Sequence, residues 1–366
     1  MLIKKKLRLI IGSLNVGGTE KQVVKLVNSL TKKGWEIELF TIKEKGLLAK
    51  FLNKKIKIKN LNINSNLKIL NLLKLLFELY KLFKKDPYTL THFFLPQAYI
   101  AGMTAAIIAK SKSKLIMSRR SLNFYQKKIL FIKTIEKFLH KRVNKILVNS
   151  IAIKKQLIAI EDVKEDKVKI IYNGIETGSK KRIRKSNSFN IVIVANLIPY
   201  KNHIMLFNSL NLIKTKLPSN WKLYCIGRDD GIKKNLLSLS KKFKIYNRIK
   251  WIETINVEKI LYNCDLGILC SKEEGFPNAI LEYFKFKLPV ISTNVGGCKE
   301  IIKNKKNGIL VKNNNFSQLS EAIIYFLKNK NEAKKMVIES SKTIKNFSIK
   351  KMVNEHEKEY LKCLNS

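Results

Sequence analysis

Two carboxylates eight residues apart, Glu274 and Glu282, lie within a 27-residue stretch (271–297) that also holds Gly275, Phe276, Asn278 and the pair Gly296-Gly297. Their spacing alone suits a pair working as acid and base on one ligand. On a single helix they would stand about 80° apart around the axis. Local composition instead assigns Glu274 to a turn and Glu282 to a helix. Residues 266–270 are a short apolar run fit for a buried parallel strand. Pro277 marks the first helical position, where proline is well tolerated. The helix runs through Phe286 until Leu288-Pro289 stops it. Residues 289–292 form the next strand, which delivers Gly296-Gly297 to the same end of the sheet. Both carboxylates then border one crevice at the carboxyl ends of strands, the place where open α/β sheets bind ligands.

A second chemical feature lies near the start. Residues 7–11 form a strand, Gly12-x4-Gly17-Gly18 a turn, and residues 19–32 a helix. That order cradles phosphate, because backbone N–H groups and the helix dipole face the ligand. The turn lacks G-x-G-x-x-G, and glycine stands at the P-loop lysine position, so a plain NAD or nucleotidase site is disfavoured. Arg119 and Arg120 form a basic turn after the strand at 114–117, and His92 lies inside the strand at 90–94.

The totals narrow the classes. A chain of 366 residues with 45% apolar content suggests two domains, each with its own core. The net charge of +46 comes from 65 Lys and only 8 Arg. An A-rich coding bias, visible also in Asn and Ile, accounts for part of it. Residues 1–150 carry +25 and the remaining 216 carry +21. A more basic first half favours an anionic membrane face or an anionic substrate. Nucleic acid is not expected, since no zinc finger, DNA-reading helix or aromatic-basic RNA signature is present. The five cysteines (225, 264, 270, 298 and 363) show neither a paired framework nor metal-ligand spacing, as in a reduced, cytosolic protein. The apolar part of the N-terminus is only Leu9-Ile10-Ile11, too short for a signal peptide. Residues 87–109 carry no charge, yet Pro96, Gln97 and Gly102 interrupt them, and no transmembrane helix is expected.

Along the chain, about six strands alternate with helices up to residue 172, which predicts a parallel sheet. The lysine-rich helix at 67–85 is apolar over more than half its circumference. It reads first as a packed layer helix and second as an interfacial helix on an anionic membrane. Residues 176–188 are polar and read as a linker. The α/β pattern then restarts with six further strands and ends in a helix at 349–363.

These residues carry a family resemblance. Glu274-Gly-Phe-Pro-Asn with Glu282, then residues 289–293 with Gly296-Gly297 and Glu300, then Asn307-Gly308, resemble the donor-binding half of the family-4 retaining glycosyltransferases. Gly17-Gly18-Thr19-Glu20 and residues 195–201 agree in order and spacing. The resemblance implies a GT-B architecture: α/β, with two facing Rossmann-like domains and an interdomain cleft. Expected boundaries are 1–175 for the acceptor-side domain, 176–188 for the linker, 189–345 for the nucleotide-sugar domain, and 346–366 for a helix crossing back. It also implies roles. Glu282 would accept from ribose hydroxyls, while Glu274 and the N–H groups of Gly275, Phe276 and Asn278 would hold the sugar. Lys201 would neutralise the leaving diphosphate, helped by the amides of Gly17 and Gly18. No D-x-D metal motif is present, and neither metal nor cofactor is expected.

Two departures stand out. Many relatives have arginine where this chain has Asn196, so Arg119, Arg120 or Arg228 would supply the missing charge. Many also carry an acceptor-side histidine where this chain reads Met117-Ser-Arg-Arg120, so Arg119 and Arg120 are the acceptor-side residues that the resemblance implies. His92 is the nearest alternative catalytic residue, and a core histidine is the competing reading. The expected function is transfer of one hexosyl or N-acetylhexosaminyl unit, with retention, from a UDP- or GDP-sugar to a glycan acceptor. That acceptor would be lipid-linked, in polysaccharide or lipopolysaccharide biosynthesis on the cytoplasmic face of the plasma or inner membrane. The alternatives are a GT-B sugar-nucleotide epimerase and a non-enzymatic basic protein bound to membrane or nucleic acid.

Overall fold

The computed structural model describes residues 5–63, 68–123, 126, 131–177 and 188–365, and the chain divides into two compact units. The first comprises Met1–Gly174 and Ile349–Ser366; the second is Ile175–Ser348. The divisions thus fall at 174/175 and 348/349 rather than at the expected 175 and 345. Residues 178–187 of the expected linker lie outside the described residues.

The first unit runs β1 (Lys6–Ser13), α1 (Gly18–Lys32), β2 (Glu36–Glu44), β3 (Lys57–Asn60), α2 (Lys68–Lys85), β4 (Leu90–Phe94), α3 (Pro96–Ile108), β5 (Leu115–Arg119), α4 (Ile132–Arg142), β6 (Lys145–Val148), α5 (Ile151–Glu161) and β7 (Val168–Ile170). Its sheet has the order β3-β2-β1-β4-β5-β6-β7 and is parallel at every pairing. β1 is central, and Leu7, Leu9, Ile10 and Ile11 are all fully buried, as a strand covered by helices on both faces requires. Seven strands replace the expected six. The extra one, β3, is an edge strand in the lysine-rich segment, where exposed charge guards an open edge.

The second unit runs β8 (Asn190–Val194), α6 (His203–Ile213), β9 (Lys222–Ile226), α7 (Lys233–Lys242), β10 (Ile249–Ile252), α8 (Glu258–Leu261), β11 (Leu266–Leu269), α9 (Asn278–Lys285), β12 (Val290–Thr293), α10 (Cys298–Ile301), β13 (Ile309–Val311), α11 (Phe316–Lys328) and α12 (Lys330–Thr343). The final helix, α13 (Ile349–Asn365), belongs to the first unit. The second sheet is also parallel, in the order β10-β9-β8-β11-β12-β13. Strand order reverses between β1 and β4 in one sheet and between β8 and β11 in the other. Loops leaving those strands part in opposite directions and open a crevice.

Two helices of the first unit bear on function. α13 returns Tyr360, Met352 and Val353 to that unit's interior, and Glu357 accepts from Trp35 Nε1 at 3.0 Å. α2 buries Leu75, Leu79 and Phe83, while Ile69, Leu70, Leu72, Leu73 and Phe77 are each more than half exposed. The helix therefore has one packed stripe, as its layer reading expects, and one exposed apolar stripe. Among the described residues, no helix is long and apolar enough to cross a membrane.

Candidate active site

The strongest constellation lies at the reversal point of the second sheet. The loop after β8 ends in a tight turn at Pro199–Lys201, closed by Asn202 in the left-handed region (φ +55°). The loop after β11 carries Ser271 and Glu274. The two loops are stitched together by the Lys272 N–H, which donates to the Tyr200 carbonyl at 2.7 Å. Lys201 Nζ then donates to Glu274 Oε1 at 2.6 Å, and Ser271 Oγ donates to the same oxygen at 2.5 Å. Thr293, at the end of β12, donates to the Ser271 carbonyl at 2.6 Å and ties in the third strand.

The Lys201 and Glu274 side chains are 18% and 9% exposed, so the pair is largely desolvated yet open on one side. Burial works against the ammonium. The attraction of Glu274, with a smaller one from Tyr200, outweighs it and holds Lys201 above its ordinary value. A charged lysine is thereby fixed at a strand-end crevice, with donors beyond the one spent on Glu274. The sequence offered Glu274 and Glu282 as a carboxylate couple; the structure gives Glu274 a cation instead.

Gly296 and Gly297 have a structural reason to be glycine. Gly296 has φ +45°, and a Cβ there would lie 1.8 Å from the Glu274 carbonyl oxygen; one on Gly297 would lie 2.3 Å from that of Gly275. The diglycine loop rests directly on the backbone of the acidic turn, and the Gly297 N–H donates to the Glu274 carbonyl at 3.2 Å. Phe276 is buried with its ring against Phe347, so it anchors the turn while its peptide stays in place beside Gly275.

Glu282 lies on α9, which begins at Asn278 with Pro277 as its N-cap, one residue later than the sequence suggested. That helix is pinned by Tyr283, absent from the sequence reading. Its hydroxyl donates to the Ile268 carbonyl at 3.1 Å and accepts from the Val194 N–H at 2.7 Å. Gly267 makes room for this, since a Cβ there would lie 2.5 Å from the Tyr283 ring. Ser271 was also missed. Tyr283 carries no sequence signal, because its partners Val194 and Ile268 lie 89 and 15 residues away. Ser271 is only three residues from Glu274, but nothing in residue type marks that bond.

Asn196 and Arg228 meet through Asp230. Arg228 Nε and Nη2 donate to its two oxygens at 2.7 and 3.2 Å, and Asn196 Nδ2 donates to Asp230 Oδ2 at 3.2 Å. The Arg228 side chain is 45% exposed, but its charge is partly spent on Asp230.

In the first unit, Gly17 caps α1 and Gly18 begins it, and the Glu20 carboxylate lies against Gly17. Two expected roles are corrected here. His92 is fully buried opposite Leu9 in mid-sheet; its Nδ1 pairs with the Tyr360 hydroxyl at 2.7 Å and its Nε2 with Ser118 Oγ at 2.9 Å. Both nitrogens are engaged and burial holds the ring neutral, so His92 is a core histidine and not a catalytic one. Arg119 turns inward, 2% exposed, and is neutralised by Glu136 at 3.2 Å and Glu161 at 2.6 Å. It is a buried ion-pair residue and has no acceptor-side role. Arg120, the next residue, escapes that network; its Nη2 donates to Asn173 Oδ1.

Comparison with known proteins follows the same division. A model of the glycosyl transferases group 1 matches residues 174–343, and one of glycosyltransferase family 4 matches residues 16–179. The chain is 26% identical to a Campylobacter jejuni GalNAc-alpha-(1->4)-GalNAc-alpha-(1->3)-diNAcBac-PP-undecaprenol alpha-1,4-N-acetyl-D-galactosaminyltransferase, covering 96% of each chain. It is 24% identical to an Escherichia coli UDP-Gal:alpha-D-GlcNAc-diphosphoundecaprenol alpha-1,3-galactosyltransferase, covering 84% of each. Among solved structures, Anabaena HepE in complex with UDP-glucose superposes with a TM-score of 0.82 at 18% identity, over 96% of this chain and 97% of that one.

Proposed function

This chain belongs to the group 1, family-4 glycosyltransferases and has their GT-B fold, and on that premise we propose that it moves one sugar, with retention, from a UDP- or GDP-sugar to a lipid-linked glycan during surface-polysaccharide synthesis. The observation that carries this reading is the Lys201–Glu274 pair at the reversal point of the second sheet. Lys201 meets the charge that develops on the leaving diphosphate. Glu274, with the N–H groups beside it, holds the sugar hydroxyls. The bond from the anomeric carbon to the diphosphate breaks as the acceptor oxygen bonds to that carbon on the same face. The departing phosphate oxygen takes the acceptor's proton. No protein carboxylate acts as nucleophile, unlike the two-carboxylate hydrolases. Lipid linkage is supported by relatives whose names specify undecaprenol-bound acceptors. All four histidines are buried, which removes the histidine part of the acid–base set that a sugar-nucleotide epimerase would use and favours transfer.

A thermal-shift panel of nucleotide sugars tests the donor assignment. A ligand at 100 times its Kd adds about 2.7 kcal/mol to stability. Glu282→Ala is expected to weaken donor binding by about 1–3 kcal/mol, the loss of a charge-assisted hydrogen bond. Wild-type affinity in that variant would refute its place on the ribose.

The bare stripe of α2 supports attachment to an anionic bilayer, with Ile69, Leu70, Leu72, Leu73 and Phe77 entering the interface. Neutralising Lys68, Lys74, Lys81, Lys84 and Lys85 removes up to about 1 kcal/mol each. Release from phosphatidylserine vesicles in a sedimentation assay is the expected outcome, and unchanged binding would end the membrane reading.

A further inference from the structure

Arg120 is a half-buried cation with no ion-pair partner among the described residues. Among those residues its guanidinium has one hydrogen-bond partner, the neutral amide oxygen of Asn173, and its Nε is buried with none. Among the described residues, no carboxylate forms an ion pair with it. Its neighbour in sequence, Arg119, has two. An uncompensated buried charge is costly, and such groups persist where a ligand completes them. Burial lowers the Arg120 pKa to about 10, against a weaker opposing pull from Tyr360 and Glu20, so the group remains a cation at neutral pH.

The surroundings suit an anion. Asn173 begins the turn after β7, and Gly174 in that turn is held to α1 by two hydrogen bonds. The Gln22 side chain donates to the Gly174 carbonyl and accepts from its N–H, both at 3.0 Å. Arg120 therefore shares a rigid frame with α1, a 15-residue helix whose amino end favours negative charge and already holds the Glu20 carboxylate against Gly17. His356, on the α13 side, is neutral: its Nδ1 is tied to the Met352 carbonyl at 2.9 Å and its pKa falls to about 3.

We propose that Arg120 is the phosphate-recognition residue of the acceptor, gripping the diphosphate ester that joins a glycan to its lipid. This rests on the lipid-linked reading above and adds the group by which the first unit recognises such an acceptor. A guanidinium with unpaired N–H groups offers parallel donors to two phosphate oxygens, which a lysine cannot reproduce.

The probes are farnesyl diphosphate, a lipid diphosphate without sugar, and UDP, the diphosphate of a donor. Calorimetric titration of wild type, Arg120→Lys and Arg120→Met with each separates the two sources of phosphate. Farnesyl diphosphate is expected to bind wild type and to lose about ten- to hundred-fold in Arg120→Met, with a smaller loss in Arg120→Lys and no change for UDP. The unliganded Arg120→Met protein is expected to melt no lower than wild type, because it no longer buries a bare charge. Undiminished farnesyl diphosphate affinity in Arg120→Met, no binding by wild type, or an equal loss for UDP each overturns the proposal. If both variants fail to fold, the arginine Nε–H resonances of the wild-type protein decide. One of the eight must shift on adding farnesyl diphosphate, and none shifting is a refutation. Failure of nucleotide sugars to bind anywhere, with the farnesyl diphosphate result intact, would count against the transferase reading and leave this site standing.

Discussion

Lys201→Ala is expected to lower kcat by about 10²–10³-fold, the cost of removing one charge-stabilising donor from a preorganised site. Three observations set the size of the effect. The ammonium stands at the sheet's reversal point, its side chain is only 18% exposed, and Glu274 keeps it charged. Arg228, the cation nearest in role, already faces Asp230 and gives little compensation. Lys201→Arg is expected to recover only part of the rate, because a planar fork does not fit a position shaped for a point charge bonded to one carboxylate oxygen. Glu274→Gln should lose rate as well, and the double variant should fall short of the summed losses, since contacting groups do not act independently. Single-turnover kinetics with the donor found by thermal shift, alongside melting curves, makes the measurement. A kcat within threefold of wild type in Lys201→Ala would remove the lysine from the chemistry.

Gly296→Ala is expected to reduce kcat/KM by about 10²-fold although the residue bears no functional group. Its Cβ would lie 1.8 Å from the Glu274 carbonyl oxygen on a backbone of positive φ, so the acidic turn must retreat by more than an ångström. Misplacement of about 1 Å at a reacting centre costs about 10²-fold. The strained backbone should also lower stability by about 1–3 kcal/mol. Gly12→Ala serves as control, since nothing lies within 4 Å of its Cβ and its φ is not in the left-handed region. Equal kinetics for the two variants would show that the diglycine loop does not position Glu274.

The contrast between these sites explains what the sequence makes legible. Both sheets can be read from it because a central parallel strand, buried on two faces, is a largely apolar run, unbroken in residues 266–269 and interrupted only by Arg8 in Leu7–Ile11 of β1. β3 is missed because an edge strand reading Lys-Ile-Lys-Asn has no such run. The helices at Glu258–Leu261 and Cys298–Ile301 are too short for a period to register. At the site, residue types and order mark Lys201, Glu274 and Glu282, but not the contact between the first two, which are 73 residues apart. The adjacent arginines show the limit most clearly. One enters the core and meets two acids, the other stays half-buried and meets none, and that division depends on Glu136 and Glu161 arriving from α4 and α5. His92 is decided the same way, by a tyrosine 268 residues later.

The return of α13 to the first unit has a consequence for biosynthesis. That unit lacks the hydroxyl partner of His92 and the carboxylate partner of Trp35 until residues 349–365 exist. Chains are made from the amino end at about 5–20 residues per second, and domains commonly fold in that order. Here the continuous unit, Ile175–Ser348, is complete in sequence before its predecessor. A nascent chain of some 340 residues would carry a finished second sheet beside a first sheet with Trp35 and His92 uncovered. During that interval the first unit is the natural client for a chaperone, and the half of the molecule synthesised first is the last to close.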